Sequence, residues 1–325
     1  MFNTDLSRHE DEDLMAWQIR CCLAKRRKET DMDWIEIRDM LGLDITPDQL
    51  RKQAVGYEEY DNYIHGFSGV ATTILSISDL HYPFAKPLDT FKEYTGKVDI
   101  LQLNGDLIDC TSLSKFLKMY RVSPVEEIIG VRQYVIDLIE MIKPKKVLVN
   151  HGNHELRLGT ILAAKLDNEL QELMPETALD YIFVDGFTHY DRKTKAKVKY
   201  SPLCDVFDDV KIEYTGTWYS QYEDVLFGHP KAFSSLPMKT AEKALYWFRN
   251  EDFNFKTLIM AHTHRLGSYK IGNTSIYEQG CCCETKQMKY TDGQLINSQK
   301  EGFMFICLDK NGHVIDDKTK LISLN

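Results

Sequence analysis

Residues 98–109 read Val-Asp-Ile-Leu-Gln-Leu-Asn-Gly-Asp-Leu-Ile-Asp, a short apolar run that stops at Gly105 and gives way to Asp106 and Asp109. The run Val98–Asn104 reads as a buried strand, and the polar cluster begins where the strand must end. The same grammar recurs along the chain. Ala71–Ser78 (ATTILSIS) leads into Ser78-Asp79-Leu80-His81, and Lys146–Asn150 (KVLVN) leads into Gly152-Asn153-His154-Glu155. Asp224–Phe227 (DVLF) leads into Gly228-His229-Pro230, and Thr257–Met260 (TLIM) into Ala261-His262-Thr263-His264. Amphipathic segments separate the early runs, which predicts an α/β sheet with crossover helices. In such a sheet the groups at the carboxyl ends of strands converge on one crevice, so side chains as distant as Asp79 and His264 can meet.

The connecting segments carry their own signals. Pro124–Ile142 reads as a helix, with Ser123 to cap it, Pro124 in the first turn and Glu126 as the box partner. The C-terminal part reads as hairpins: Ser268–Tyr277, then Phe303–Leu308 and Val314 onward around Lys310-Asn311-Gly312. Upstream of residue 71 the pattern is helical. Residues 10–28 place Leu14, Trp17, Cys21 and Ala24 on one face, and residues 33–41 repeat the stripe with Trp34, Ile37 and Leu41 before Gly42. Thr46, Pro47 and Gln49 open a third helix whose buried face is Leu50, Ala54 and Tyr57. Three short helices with a tight turn before the third suggest a helix-turn-helix module over residues 1–66. A linker over Tyr63–Gly69 ends that region, and the α/β body occupies residues 71–325.

Composition narrows the class. The chain has 325 residues, 43% of them hydrophobic and 27% charged, which excludes a fibrous or disordered chain. No stretch approaches the ~18 apolar residues of a membrane helix, and no signal-peptide core precedes the first helix. A soluble protein without a membrane partner is expected. Net charge is −9, and residues 1–70 hold 9 basic against 15 acidic side chains, so nucleic acid would have to be met by local patches. The 8 cysteines include Cys21–Cys22 and Cys281–Cys283 but no C-x-x-C pair, which argues against a disulfide framework or zinc ribbon and fits a reducing compartment.

Asp, Asn and His are ligands for borderline divalent ions rather than for a thiolate cage. A lone Asp at a strand end is more often a turn or cap residue; five such clusters in order favour the metal. Together the motifs resemble the D-x-H, G-D-x-x-D, G-N-H-E, G-H and G-H-x-H signature of calcineurin-like metallophosphoesterases over roughly residues 71–285. The N-terminal module, with Trp34 and the run Thr46–Ala54, resembles the extension of phage-encoded members. The resemblance implies a four-layer α/β/β/α sandwich beside a small all-helical module, acting in the cytoplasm of a bacterium or phage-infected host. It implies a dinuclear centre in which Asp79, His81 and His264 hold one divalent ion, Asn153, His229 and His262 hold the other, and Asp106 bridges them. A hydroxide bridging the ions would attack a phosphate ester, with His154 protonating the leaving oxygen and Asp109 orienting His154. Manganese is the first choice, with iron, zinc or nickel as alternatives.

Two positions depart from that pattern. Cys110 stands where the family's protein phosphatases carry an arginine that clamps a phosphomonoester, and Ala261 replaces the usual glycine before His262. The first departure leans the substrate towards a phosphodiester of nucleic acid or a nucleotide, with a phosphomonoester of a small molecule or protein as the alternative. Arg192–Lys199 carries five basic residues, and alternation at Lys193, Lys195, Lys197 and Lys199 would line one side of a strand, either as a solvated edge or as a rail for phosphates. Tyr214, Trp218, Tyr219 and Tyr222 would pack as core or stack bases. Lys25–Lys28, Arg51, Lys52 and Gln53 are the module's candidate DNA contacts, and a DNA-binding regulator using the body as a platform is the non-enzymatic alternative. His151 and Cys281–Cys283 read as buried structural residues, and Glu155 as a loop anchor.

Overall fold

Asp13 sets the start of the first helix, α1 (Leu14–Arg26), by accepting the Ala16 N–H at 2.7 Å. The computed structural model that shows this describes residues 6–9, 12–65, 69–114, 121–288 and 299–324. A capping box of Asp33 and Glu36 opens α2 (Trp34–Leu41), which Gly42 ends at φ +64°. Thr46 and Gln49 open α3 (Pro47–His65) as expected, Gln49 N–H donating to Thr46 Oγ1 and Thr46 N–H to Gln49 Oε1. Cys21, Cys22, Ala24, Ile37, Leu41, Leu50 and Ala54 form the core of this helical unit. Two expectations fail. The first helix begins at Leu14, not residue 10, and Leu14 in its first turn is 62% exposed. The expected linker is also shorter, because Tyr63–His65 continue α3, while residues 66–68 lie outside the described residues. The chain divides into two compact units, Met1–Gly69 and Val70–Asn325.

The second unit opens with three parallel neighbours: β1 (Thr72–Ile77), β2 (Ile100–Asn104) and β3 (Lys146–Asn150). Both faces of such strands are covered, so almost every residue in them is buried. The β1–β2 connection was expected to be helical; it holds only a 3₁₀ stretch, Leu88–Tyr94, in a segment interrupted by Pro83 and Pro87. The crossover from β2 to β3 is α4 (Pro124–Ile142), with the predicted bounds. Its entry differs from the capping-box expectation. Ser123 makes no side-chain cap, and the first-turn carboxylate of Glu127 instead accepts the Thr111 N–H at 2.8 Å.

Past β3 the chain runs through α5 (Leu156–Ala163), α6 (Asn168–Gln171) and α7 (Ala178–Phe183). A separate hairpin follows, β4 (Phe187–Asp191) with β5 (Ala196–Tyr200), and then β6 (Lys211–Tyr214) joins the edge of the first sheet beside β3. β7 (Tyr219–Tyr222), β8 (Val225–Gly228), α8 (Lys239–Asn250), β9 (Thr257–Met260), β10 (Leu266–Ile271) and β11 (Thr274–Gln279) build the second sheet and its cover. After α9 (Thr285–Met288), β12 (Gly302–Leu308) returns antiparallel to β1 and pairs with β13 (Lys320–Ser323). The hairpin at β10–β11 is the expected one. The last differs: Leu308 and Val314 form only an isolated bridge around the Asp309–Gly312 turn, and the pairing strand is β13.

The sheets have the orders β13-β12-β1-β2-β3-β6 and β10-β11-β9-β8-β7. Alternation along the strands sorts side chains between layers. Ile74, Ile100 and Leu148 of the first sheet meet Val225, Phe227 and Ile259 of the second between the sheets. Leu75, Ile77, Leu101 and Val147 face outward onto Val131, Val135 and Leu138 of α4, while Leu226, Leu258 and Met260 face Ala241, Leu245 and Phe248 of α8. This is the four-layer α/β/β/α arrangement. Among the described residues no helix is long and apolar enough to cross a membrane. Phe227 is wholly buried between the sheets. Phe227→Ala is expected to lower stability by about 3–5 kcal/mol, seen as a lower denaturation midpoint at unchanged slope.

Candidate metal centre

The five polar clusters lie at the carboxyl ends of β1, β2, β3, β8 and β9, as the strand pattern requires. Backbone bonds join the first two loops: Asp79 N–H donates to Gly105 O at 3.0 Å and His81 N–H to Asp106 O at 2.9 Å. The buried Glu155 carboxylate joins the second to the third. It accepts N–H groups from Asp106 (3.1 Å), Leu107 (2.6 Å), Ile108 (3.3 Å) and Gly152 (2.7 Å), an anchoring role of the kind expected from its position. His154 N–H donates to Asp106 Oδ1 at 2.8 Å and fixes that carboxylate's direction. Asp79, His81, Asp106, His262 and His264 all have φ between +46° and +75°. Each such residue costs about 1–3 kcal/mol and persists only where its surroundings hold it.

Four groups of donors result among the described residues, and two of them hold the expected ligands; a third is His81, Asp109 and His154. Asp79, His81 and His264 place ligand atoms within 4.8 Å of one another, and so do Asp106, His229 and His262. His264 Nε2 lies 3.0 Å from Asp79 Oδ1 and 3.1 Å from His81 Nε2, and His229 Nε2 lies 3.2 Å from Asp106 Oδ2. Asp106 Oδ2 is also 3.8 Å from His81 Nε2, so this carboxylate touches both groups. His229 Nδ1 bonds Asn104 O at 2.7 Å, which directs Nε2 inward. The buried Asn153 Oδ1 and His262 Nε2 have no hydrogen-bond partner among the described residues. Orphaned lone pairs aimed with carboxylates into one locus fit a divalent-ion centre.

The electrostatics follow from packing buried carboxylates against imidazoles. Burial opposes a charge on Asp79, but His229 and His264 outweigh it and hold the carboxyl below the usual range. His229 is pushed up to about 9, with burial opposing and Asp106 and Asp79 prevailing. Burial and the neighbouring His229 charge push His262 down to about 3, leaving a neutral imidazole with a lone pair to offer.

His154 stands beside this cluster. Its Nδ1 is 3.1 Å from Asp109 Oδ1, and its ring meets that of His81 edge-on at 4.4 Å. Burial pushes it down to about 4. One residue escaped the sequence reading. Arg157, on the first turn of α5, places Nη2 2.7 Å from His154 Nε2 and donates from Nη1 to Asp109 O at 2.8 Å. Its signal was the i, i+3 spacing from His154, which only a helix start immediately after the motif makes meaningful. Cys110 is buried and its thiol is pushed up, so no cation occupies that position.

The remaining candidates divide. Ala261 is buried, with its N–H on Gly228 O. His151 Nδ1 contacts Gly152 O at 3.1 Å. Cys281–Cys283 are buried against the loop after β1, Cys282 N–H donating to Ser78 O. Cys281 and Cys283 nevertheless share a 4.8 Å donor group with His264, a proximity the sequence reading did not foresee. The expected basic strand is half turn: Asp191 Oδ1 accepts the Lys193 N–H, Lys195 has φ +55°, and only Lys197 and Lys199 share a face of β5. Tyr214 stacks on Phe183, and Tyr219 and Tyr222 pack against the hydrophobic clusters, whereas Trp218 lines a cavity beside Asn153 and His229.

A family model, calcineurin-like phosphoesterase, matches residues 72–266, which hold all five clusters. The chain belongs to the calcineurin-like phosphoesterases and is a metal-dependent phosphoric ester hydrolase. Similar solved structures include Vacuolar Protein Sorting 29 from Cryptosporidium parvum, 16% identical over 78% of this chain and 97% of that one, with a TM-score of 0.39. A novel archaeal phosphodiesterase is 12% identical over 78% of this chain and 99% of its own, with a TM-score of 0.38. A metallophosphoesterase from Sphaerobacter thermophilus is 12% identical over 75% and 88%, with a TM-score of 0.34. No curated protein matches the chain.

A Cβ added at Gly152 would lie 2.2 Å from Asp106 Oδ1 and 2.6 Å from its backbone nitrogen. Gly152→Ala must therefore displace the carboxylate shared by both groups, and is expected to weaken metal binding by about 10–100-fold. Titration against a competing chelator measures it; unchanged affinity would mean that Asp106 does not hold the metal.

Proposed function

We propose that the chain hydrolyses a phosphodiester of a nucleotide or nucleic acid with two divalent ions, manganese first among them. The observation that carries this reading is the Asp106 carboxylate standing between the two donor groups. Asp79, His81 and His264 would hold one ion, Asn153, His229 and His262 the other, with Asp106 shared. Bound there, a pair of dications would supply Lewis acidity and lower the pKa of bound water.

The chain's own groups do the rest. As the imidazolium, His154 would deliver its Nε2 proton to the leaving oxygen, while Asp109 accepts the Nδ1 proton and fixes the ring orientation. Arg157 rests on that same Nε2. When it leaves His154 for a phosphate oxygen, Nε2 loses its donor and the ring loses a neighbouring cation that disfavours the imidazolium, so Nε2 can take up the proton it then delivers. The diester preference rests on Cys110: a buried neutral thiol cannot make the bidentate contact that a dianionic monoester calls for. Arg157 favours the second reading, a phosphomonoesterase, because it brings a guanidinium to the place Cys110 leaves without one. The regulator reading has no comparable support. In the helical unit Arg26 pairs with Glu58, Arg27 with Asp61, and both Arg51 and Lys52 with Asp48.

Chelation should abolish hydrolysis, and added Mn²⁺ should restore it at least as well as Zn²⁺ or Ni²⁺. Assayed with a nitrophenyl diester beside its monoester, the metal-loaded protein is expected to favour the diester; activity on the monoester alone would select the second reading. His154→Ala should cut kcat by about 10²–10⁴-fold with metal content intact. Loss of metal in step with activity would remove His154 from the acid role.

A further inference from the structure

Beside Asn153 and His229 a cavity of about 420 Å³ opens, within the range of about 300–1,000 Å³ that small-molecule sites occupy. Its polar end is the proposed second-ion side of the centre. Its walls are aromatic: Trp218, Trp247 and Phe233 all line it. Trp218 and Trp247 stand 5.1 Å apart and both pack on Phe248, which braces them from behind. Phe233 meets His262 edge-on at 5.9 Å, so the aromatic wall reaches a proposed ligand directly. Trp247 and Phe233 are 41% and 47% exposed, a large apolar surface left uncovered at the mouth of a site.

Two cations complete it. Lys231 and Lys243 line the same cavity, and Lys243 lies one turn before Trp247 on α8, so it shares that face of the helix. Among the described residues neither lysine pairs with a carboxylate, unlike the arginines of the helical unit. An acyl chain would suit the walls but leave both cations unanswered. A bare phosphate or sugar would leave the indoles uncovered. A planar aromatic group joined to more than one phosphate answers both.

We infer that this cavity takes the nucleoside of the substrate, its base against the Trp218–Trp247 wall and the next phosphate along the strand on Lys231 and Lys243. The inference rests on the phosphodiesterase reading above and assigns the subsite that would hold the nucleoside and its next phosphate. Stacking on indole is tolerant of base identity, so the site selects nucleotides without selecting a sequence.

The test uses the full-length, Mn²⁺-loaded protein and calorimetric titration with inorganic phosphate, ribose 5-phosphate, adenosine 5′-monophosphate, adenosine 3′,5′-bisphosphate and octyl phosphate. Adenosine monophosphate is expected to bind about tenfold tighter than ribose 5-phosphate and to quench tryptophan fluorescence. Trp247→Ala should erase that difference, and Trp247→Phe should keep most of it. Lys243→Ala should remove the gain from the second phosphate. Equal binding of adenosine monophosphate and ribose 5-phosphate, or octyl phosphate binding as tightly as the nucleotide, overturns the inference while leaving the hydrolase reading in place. Failure of inorganic phosphate itself to bind would strike the hydrolase reading, and the cavity assignment with it.

Discussion

A carboxylate that touches no substrate holds this site together. Glu155 is fully buried, and its two oxygens collect N–H groups from Asp106, Leu107, Ile108 and Gly152. Burial and the nearby Asp106 charge push the Glu155 carboxyl up to about 7, and the convergent amide dipoles work against that rise. The consequence is geometric: the loop after β2 and the loop after β3 become one body. Asp106, from the first, and Asn153 and His154, from the second, then share a frame, and the His154 N–H closes it by bonding Asp106 Oδ1. That frame also supports the left-handed backbone of the loop after β1, since His81 N–H hangs on Asp106 O and Asp79 N–H on Gly105 O.

Much of this was legible because parallel sheets write simply. Each buried strand is an apolar run, each run ends where its backbone leaves the sheet, and the polar residues that follow have one crevice to enter. The bounds of α4 and β3, and the gathering of Asp79, Asp106, His229, His262 and His264, follow from that logic. What failed has a local cause. Ser123 carries the composition of a cap, yet Thr111, from a remote loop, engages the first-turn carboxylate instead. Lys193–Lys199 alternates like a strand, but Asp191 captures the Lys193 and Thr194 groups and turns the chain in the middle of the run. In both places a carboxylate, Glu127 in one and Asp191 in the other, captures a backbone N–H, a choice that tertiary context decides.

The residues that no pattern announced are those whose meaning is spatial. Arg157 is an ordinary helix residue until α5 begins right after the Gly152–Glu155 cluster and brings its guanidinium back onto His154. Trp218 reads like its neighbours Tyr214 and Tyr219, and only the cavity beside Asn153 separates it from them. The cysteines behave likewise. Three in a row at 281–283 read as small buried residues, which they are, but the antiparallel return of β12 and the turn after Gly280 bring two of them against His264.

Cys110 and Arg157 show how a missing residue should be weighed. By linear position the arginine that would follow Asp109 is absent, and a substrate needing two charge-assisted bonds on one phosphate loses its clamp. By space, a guanidinium stands on the carbonyl of Asp109 and on the His154 ring, arriving from the next helix. The two are not equivalent. An arginine fixed in the loop after Asp109 would be committed to the phosphate, whereas Arg157 is already engaged and must exchange partners to bind it. Its contribution is then the difference between two good hydrogen-bond environments. That difference is small for a singly charged diester held also by its nucleoside, and larger for a dianion whose charge has few other partners. On the proposed reading, the charge of the substrate, rather than the presence of an arginine, would decide how far Arg157 moves.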